Sequence, residues 1–213
     1  MPTVRAVVFD IGGVLEVGAN GREPTSASAT MVAAWESRLS LLQGELSDAL
    51  DVLYERGLLG TITEEEWHER LCAQIGVERR HLDVFVEESW DLYLGQLNQE
   101  LATYFRSLRP VHSTALLSNS FVGARGREKA RYDFDAMTDL IVYSHEEGVA
   151  KPDPRIYVTT AERLGVLPTE TLFLDDVEEY VEGARATGMH GVLFRDNAQA
   201  MREIDVLLRS ARS

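Results

Sequence analysis

The chain has 213 residues, 45% of them apolar, enough for one large domain with an insertion and ample for a packed core. Its formal net charge of -14 argues against a general nucleic-acid binder, because phosphate backbones need a basic surface, yet it leaves room for a small anionic ligand held by local positive charge. The lone cysteine, Cys72, can form no intrachain disulfide, which fits a reducing compartment, and no run approaches the length of a membrane span.

The first element is the apolar run Val4 to Phe9. It starts almost at once, with no charged and apolar leader before it, so a cytoplasmic protein is expected. Such a run reads as a fully buried strand, and the glycines of Ile11-Gly12-Gly13-Val14-Leu15 stop it. Asp10 therefore falls at the carboxyl end of a first strand, on a tight loop. Open α/β sheets bind their ligands in the crevice at such ends, and a carboxylate there can attack an electrophile or hold a metal.

From about Gly18 to Leu97 the pattern changes to helices, such as Ala27 to Gln43 and Thr63 to Gln74, with no convincing strand. Thr63 and Glu66 form a capping box that starts the second of these. Gly18 to Ser28, rich in small and polar residues, reads as a flexible lead-in. Trp35, Trp67 and Trp90 read as packing anchors, Cys72 as part of this segment's core, and Glu64-Glu65-Glu66 as a solvated first turn. The five histidines show no metal-ligand spacing.

Beyond Leu97, β-rich runs return at Thr114 to Leu117, Leu140 to Tyr143, Thr171 to Leu174 and Gly191 to Phe194. Helical patterns accompany them at Asn98 to Leu108, Val122 to Arg131, Pro154 to Leu164, Val177 to Thr187 and Asn197 to Arg209. Strands alternating with helices imply a doubly wound parallel sheet covered on both faces. The strands end on chemical residues: Ser118-Asn119 after the second run, and Asp175-Asp176 after the fourth. Lys151 stands just before a helix opened by Pro154. A strand-end Ser or Asp is more often a turn or cap residue, and one of Asp175 and Asp176 is a candidate cap for the helix near Val177. The shared sheet edge and the order make the set specific.

The set resembles the haloacid-dehalogenase-like (HAD) hydrolase superfamily. Phe9-Asp10-Ile11-Gly12-Gly13-Val14-Leu15 matches its nucleophile loop, and Ser118, Lys151 and Asp175-Asp176 match its second, third and fourth motifs in order. The run from Tyr143-Ser144 through Val149-Ala150-Lys151-Pro152-Asp153-Pro154 to Arg155-Ile156-Tyr157 is close to the family form. Glu55-Arg56-Gly57 with Thr61-Ile62-Thr63-Glu64-Glu65-Glu66-Trp67 resembles the glucose-1-phosphatase-like branch. The resemblance implies a Rossmann-like α/β core over residues 1–17 and 98–213 and an all-helical cap over 18–97. It implies a Mg²⁺-dependent phosphatase acting on a small phosphorylated metabolite, sugar phosphates being the class the branch suggests. Asp10 would attack phosphorus and form an aspartyl-phosphate. Asp10, the Gly12 carbonyl and one or both of Asp175 and Asp176 would hold the metal. Ser118, Asn119, Lys151 and the amides of the Gly12-Gly13 loop would receive the phosphate.

Two positions depart from the family pattern. Gly12 stands where most of these phosphatases carry a second Asp, the acid that protonates the leaving oxygen; whether Glu16 or a water replaces it is open. Tyr180 stands where an Asn is usual. Gly12 is compatible with a metal-free 2-haloacid dehalogenase using the same Asp, but Asp175-Asp176 look like a metal pair where that branch tends to have uncharged residues, which ranks it below the phosphatase. Gly12 and Tyr180 together also motivate a non-catalytic binding protein, against which the retained charges argue. No feature of the sequence addresses oligomeric state.

Overall fold

The apolar run after Arg5 forms strand β1 (Ala6–Phe9), the middle strand of a five-stranded parallel sheet. The computed structural model describes residues 3–18 and 29–210. On one side β1 pairs with β4 (Ser113–Ser118), which pairs with β5 (Leu140–Tyr143); on the other it pairs with β6 (Thr171–Asp175), which pairs with β7 (His190–Leu193). A sheet covered on both faces can be apolar at every position, and all four residues of β1 are fully buried. Val7 and Phe9 face one layer, built with α5 (Gln99–Leu108), α7 (Phe134–Met137) and α11 (Asn197–Ser210). Ala6 and Val8 face the other, built with α9 (Pro154–Arg163) and α10 (Glu178–Ala186). The period-2 alternation of β1 thus joins two separate cores. The strand order, β5-β4-β1-β6-β7, reverses direction at β1, so the crevice falls at its carboxyl end.

Among the described residues four helices precede α5 in the interval between β1 and β4: α1 (Ala29–Arg38), α2 (Glu45–Leu58), α3 (Glu64–Ile75) and α4 (Arg79–Leu94). They gather their own apolar cluster around Leu46, Leu71, Leu82 and Phe85. Trp35, Trp67 and Trp90 are buried in it, while Cys72 is half-buried at its side. The capping box is present: Thr63 Oγ1 accepts from the Glu66 amide and the Glu66 carboxylate accepts from the Thr63 amide. Glu64-Glu65-Glu66 is more than a solvated turn, since Glu64 pairs with Arg127, Glu65 with Arg79, and Glu66 closes the cap.

The structure corrects three expectations. Gln96–Leu97 is a strand, β3, paired antiparallel with β2 (Glu16–Val17), so the helical segment is tied off by a two-residue ribbon where the chain leaves and returns. Two residues carry no readable periodicity, which is why the sequence showed no strand there. Asn98 completes the tie: its side chain donates to the Val14 carbonyl, and its Oδ1 caps α5. The helix expected over Ala27 to Gln43 ends at Arg38, because Ser40 turns to φ 59; its start and the lead-in over Gly18 to Ser28 lie largely outside the described residues. The helix expected from Val122 begins instead as α6 (Ala124–Tyr132), because the Val122 amide bonds to the Gly57 carbonyl. The remaining helix, α8 (Ser144–Glu147), follows β5 directly. Among the described residues no helix is long and apolar enough to cross a membrane.

The helical segment rests on the carboxyl ends of the strands. Gly57 of α2 lies so close to Phe121 that a Cβ there would stand 2.0 Å from the ring. Ser144 Oγ donates to the Leu58 carbonyl at 2.8 Å, and Arg127 of α6 pairs with Glu64 while its guanidinium covers the Trp90 ring.

Candidate active site

β1 delivers Asp10 to the crevice and the following turn fixes it. The Asp10 amide bonds to the Leu174 carbonyl, so the residue extends the β1–β6 ladder by one step. The loop then folds back on itself: the Leu15 and Glu16 amides both bond to the Ile11 carbonyl, and the Gly13 amide bonds to the Glu16 carbonyl. Gly13 has φ +74°, and a Cβ on it would lie 2.3 Å from Asp176 Oδ2. Glycine is thus required twice, for the left-handed backbone and for the approach of the carboxylate. Gly13→Ala is expected to cost about 1–2 kcal/mol from the backbone alone, lowering the melting temperature by roughly 2–8 °C. It should lower activity further by displacing Asp176; a thermal scan with a phosphate-release assay checks both.

Lys151 is the pivot. The residue is 3% exposed, and its ammonium donates to Asp10 Oδ1 at 2.7 Å, Asp175 Oδ2 at 2.6 Å and the Leu117 carbonyl at 3.2 Å. These bonds use all three of its N–H groups. Burial alone would push its pKa down, but the carboxylates of Asp10 and Asp175 outweigh burial and hold it above an ordinary lysine. The Tyr180 and Phe173 rings lie 5.0 and 5.5 Å from the ammonium, a favourable cation–π arrangement. Tyr180 therefore encloses the lysine. Asn119 fixes the backbone behind it: its Nδ2 donates to the Lys151 carbonyl, and its Oδ1 accepts from the Lys151 amide.

Three carboxylates cluster here, and two of them, Asp10 and Asp175, bond to this one ammonium. An oxygen from each of Asp10, Asp175 and Asp176 lies within 4.8 Å of the others. Asp175 is fully buried; its Oδ1 accepts from the Val177 amide, so it supplies the turn before α10 as well as the Lys151 pair. Burial raises the Asp10 carboxyl well above its ordinary value, Lys151 opposes this, and Asp175 and Asp176 add to the rise. Such a cluster of hard oxygen donors with excess negative charge suits a divalent cation such as Mg²⁺.

A second pair of acids lies behind the loop. Glu16 is 1% exposed, and its carboxyl is pushed well up, first by burial and then by Glu128 and Asp10. Glu128 is fully buried on α6, accepts a short hydrogen bond from the Tyr143 hydroxyl, and has an Oε1 with no hydrogen-bond partner. Burial pushes its pKa up to about 7 against the Tyr143 hydrogen bond and Arg125. Because the folded pKa exceeds the unfolded one, the folded state keeps its proton longer. The stabilisation is complete below the ordinary glutamate range and is lost as pH rises to about 7. Glu128→Gln should accordingly gain roughly 3 kcal/mol relative to the parent well above pH 7 and nothing near pH 4; parallel stability–pH curves would contradict this.

The structure therefore brings Asp10, Lys151, Asp175 and Asp176 into one cluster, with Gly13 pressed against it and Asn119 seating the lysine. Ser118 is buried at the carboxyl end of β4, opposite Tyr143 of β5, and Gly12 forms an isolated bridge with Glu16. The sequence did not reveal the Glu16–Glu128 layer or the ring over Lys151. A buried glutamate on a helix as polar as α6 carries no local signal, and Tyr180 read only as a departure.

Comparison with known proteins adds the following. A family model described as a haloacid dehalogenase-like hydrolase matches residues 4–188. The pig bifunctional epoxide hydrolase 2 is 30% identical over 220 residues, covering 95% of this chain; the chain spans only 38% of that relative's length. A D-ribitol-5-phosphate phosphatase of Bacteroides thetaiotaomicron is 24% identical over 226 residues, covering 97% of this chain and 100% of that one. A solved HAD family enzyme from the same organism, in complex with magnesium and inorganic phosphate, superposes with a TM-score of 0.73 at 19% identity, over 93% of this chain and 98% of the other.

Proposed function

Because the chain belongs to the haloacid dehalogenase-like hydrolase family, we propose that it is a Mg²⁺-dependent phosphatase of a small phosphorylated metabolite, with Asp10 as nucleophile. The observation that carries this is the cluster of Asp10, Asp175 and Asp176 at the topological switch point, with the Lys151 ammonium bonded to the first two. In this reading residues 1–17 and 98–213 are the core, and 18–97 form a cap that excludes water from the crevice.

Asp10 attacks phosphorus; its oxygen forms the new P–O bond as the leaving oxygen departs with its electron pair. Water then hydrolyses the aspartyl-phosphate and restores the carboxylate. Lys151 keeps Asp10 ionised and aimed, since its hydrogen bond opposes the rise that burial imposes. Ser118 and the amides of Asn119 and Gly12 donate to the phosphate oxygens, while the Gly13 amide, expected to join them, is taken by the Glu16 carbonyl. Magnesium, held by Asp10, Asp175, Asp176 and the Gly12 carbonyl, would offset the charge of the transferring phosphoryl group. With glycine at position 12, the nucleophile loop offers no side-chain acid there, a loss typically of about 10²–10⁴ in rate.

Phosphate release from p-nitrophenyl phosphate and glucose 1-phosphate is expected with Mg²⁺ and is expected to vanish with chelator. Release that survives chelation rejects the metal assignment. Chloride release from 2-chloropropionate with no phosphate release would instead support the dehalogenase reading.

A further inference from the structure

The helical segment encloses a cavity of about 330 Å³ that extends to the loop after β4. Rings make up much of its wall: Trp67, Trp90, Phe85, Tyr93 and Phe121 line it, with Ser47, Asp51, Glu64 and Ser89 among the polar side chains beside them, and Trp67 stands edge to face with Phe121 at 5.5 Å. Asn119 lines the same cavity, and Asn119 is the residue whose side chain seats the Lys151 backbone. Tyr93 places the cavity in the field of the charge cluster: its hydroxyl is pushed well up by burial first, then by Glu128 and Glu16, with Asp10 also contributing.

Two buried polar groups on this wall lack partners. His68 is 7% exposed, and among the described residues neither of its ring nitrogens has a hydrogen-bond partner; the Trp67 Nε1 also has none. Both residues line the cavity. Burial, and then Arg79, hold the imidazole below its ordinary value, so at neutral pH it offers one donor and one acceptor. Buried groups of this kind are costly unless something bonds to them.

We propose that this cavity is the leaving-group subsite of the phosphatase, and that it takes a phosphate monoester whose alcohol is an apolar ring carrying an uncharged hydrogen-bonding group that His68 recognises. The proposal rests on the phosphatase reading and narrows it away from sugar phosphates. The polar side chains on the wall can take some hydroxyls of a polyol, but the rest would lie against the faces of Trp67, Phe85, Trp90 and Phe121, which cannot bond them. The products are the ring alcohol and inorganic phosphate, water supplying one oxygen to phosphorus and one proton to the alcohol.

The test compares benzyl phosphate, 4-(hydroxymethyl)benzyl phosphate and D-ribitol 5-phosphate, all of which release primary alcohols, in the Mg²⁺-loaded protein. The benzyl esters are expected to exceed ribitol 5-phosphate in kcat/KM by about 10-fold or more. The hydroxymethyl compound should exceed benzyl phosphate by several-fold, and His68→Phe should remove that increment while retaining the ring preference. Ser47→Trp, a substitution at an exposed residue on the cavity wall, should bring benzyl and ribitol esters toward equality. Equal or faster turnover of ribitol 5-phosphate overturns the subsite and leaves the phosphatase reading intact. No Asp10-dependent release from acetyl phosphate or any ester overturns that reading instead. Calorimetry with 1,4-benzenedimethanol then decides the cavity alone: binding abolished by Ser47→Trp supports it, and absent or unaltered binding overturns it.

Discussion

Asp10→Asn is expected to abolish turnover, by on the order of 10⁴-fold or more, as removal of a covalent nucleophile does. The fold should survive, because the amide is isosteric with the carboxylate and Lys151 keeps Asp175 as its partner. Stability offers an independent readout. In the metal-free protein three carboxylates crowd together with one ammonium bonded to two of them, and burial already raises the Asp10 carboxyl well above its ordinary value. Removing one negative charge should leave the melting temperature unchanged or raise it at neutral pH, and should weaken stabilisation by Mg²⁺. Phosphate release persisting in the variant would remove Asp10 from the mechanism. A large fall in melting temperature would show that its role is structural.

Lys151→Met should be damaging in both respects. The ammonium is buried and makes three hydrogen bonds, so its loss leaves Asp10 and Asp175 facing each other without compensation. Breaking a buried ion pair from one side typically costs about 3–5 kcal/mol, which in a chain of this size is a fall of roughly 10 °C. Activity should drop by about 10²–10³-fold, the scale of losing one well-placed donor. Mg²⁺ should recover part of the stability, since it replaces the missing positive charge, but little of the activity. Unchanged kcat and KM would sink the assignment.

The parallel sheet and its ends were legible because burial on both faces writes itself as apolar runs, and each such run beyond Leu97 became a strand. The charge cluster was legible because it sits at the ends of those runs. What was not legible depends on distance along the chain or on silence in the local pattern. Nothing near Asn119 announces that its amide clamps Lys151, 32 residues away. Nothing near His68 announces that both its nitrogens are buried without partners, since a histidine on an amphipathic helix reads the same whether it packs or binds. The β2–β3 ribbon escaped because it is two residues per strand. Tyr180, read as a departure, became intelligible only when its ring was seen beside the ammonium.

The position of β1 has a consequence for how the protein is made. The strand is synthesised before either of its neighbours, and both, β4 and β6, come from the far half of the chain. Asp10 likewise meets Lys151 across 141 residues. During synthesis an apolar strand must therefore remain unpaired while the helices, with largely local contacts and a cluster of their own, can already assemble. Such a waiting strand is an aggregation hazard and a natural client for a holdase chaperone. Truncated chains ending before β4 should be helical yet prone to association, and refolding should show an early helical phase followed by slow closure of the sheet around β1.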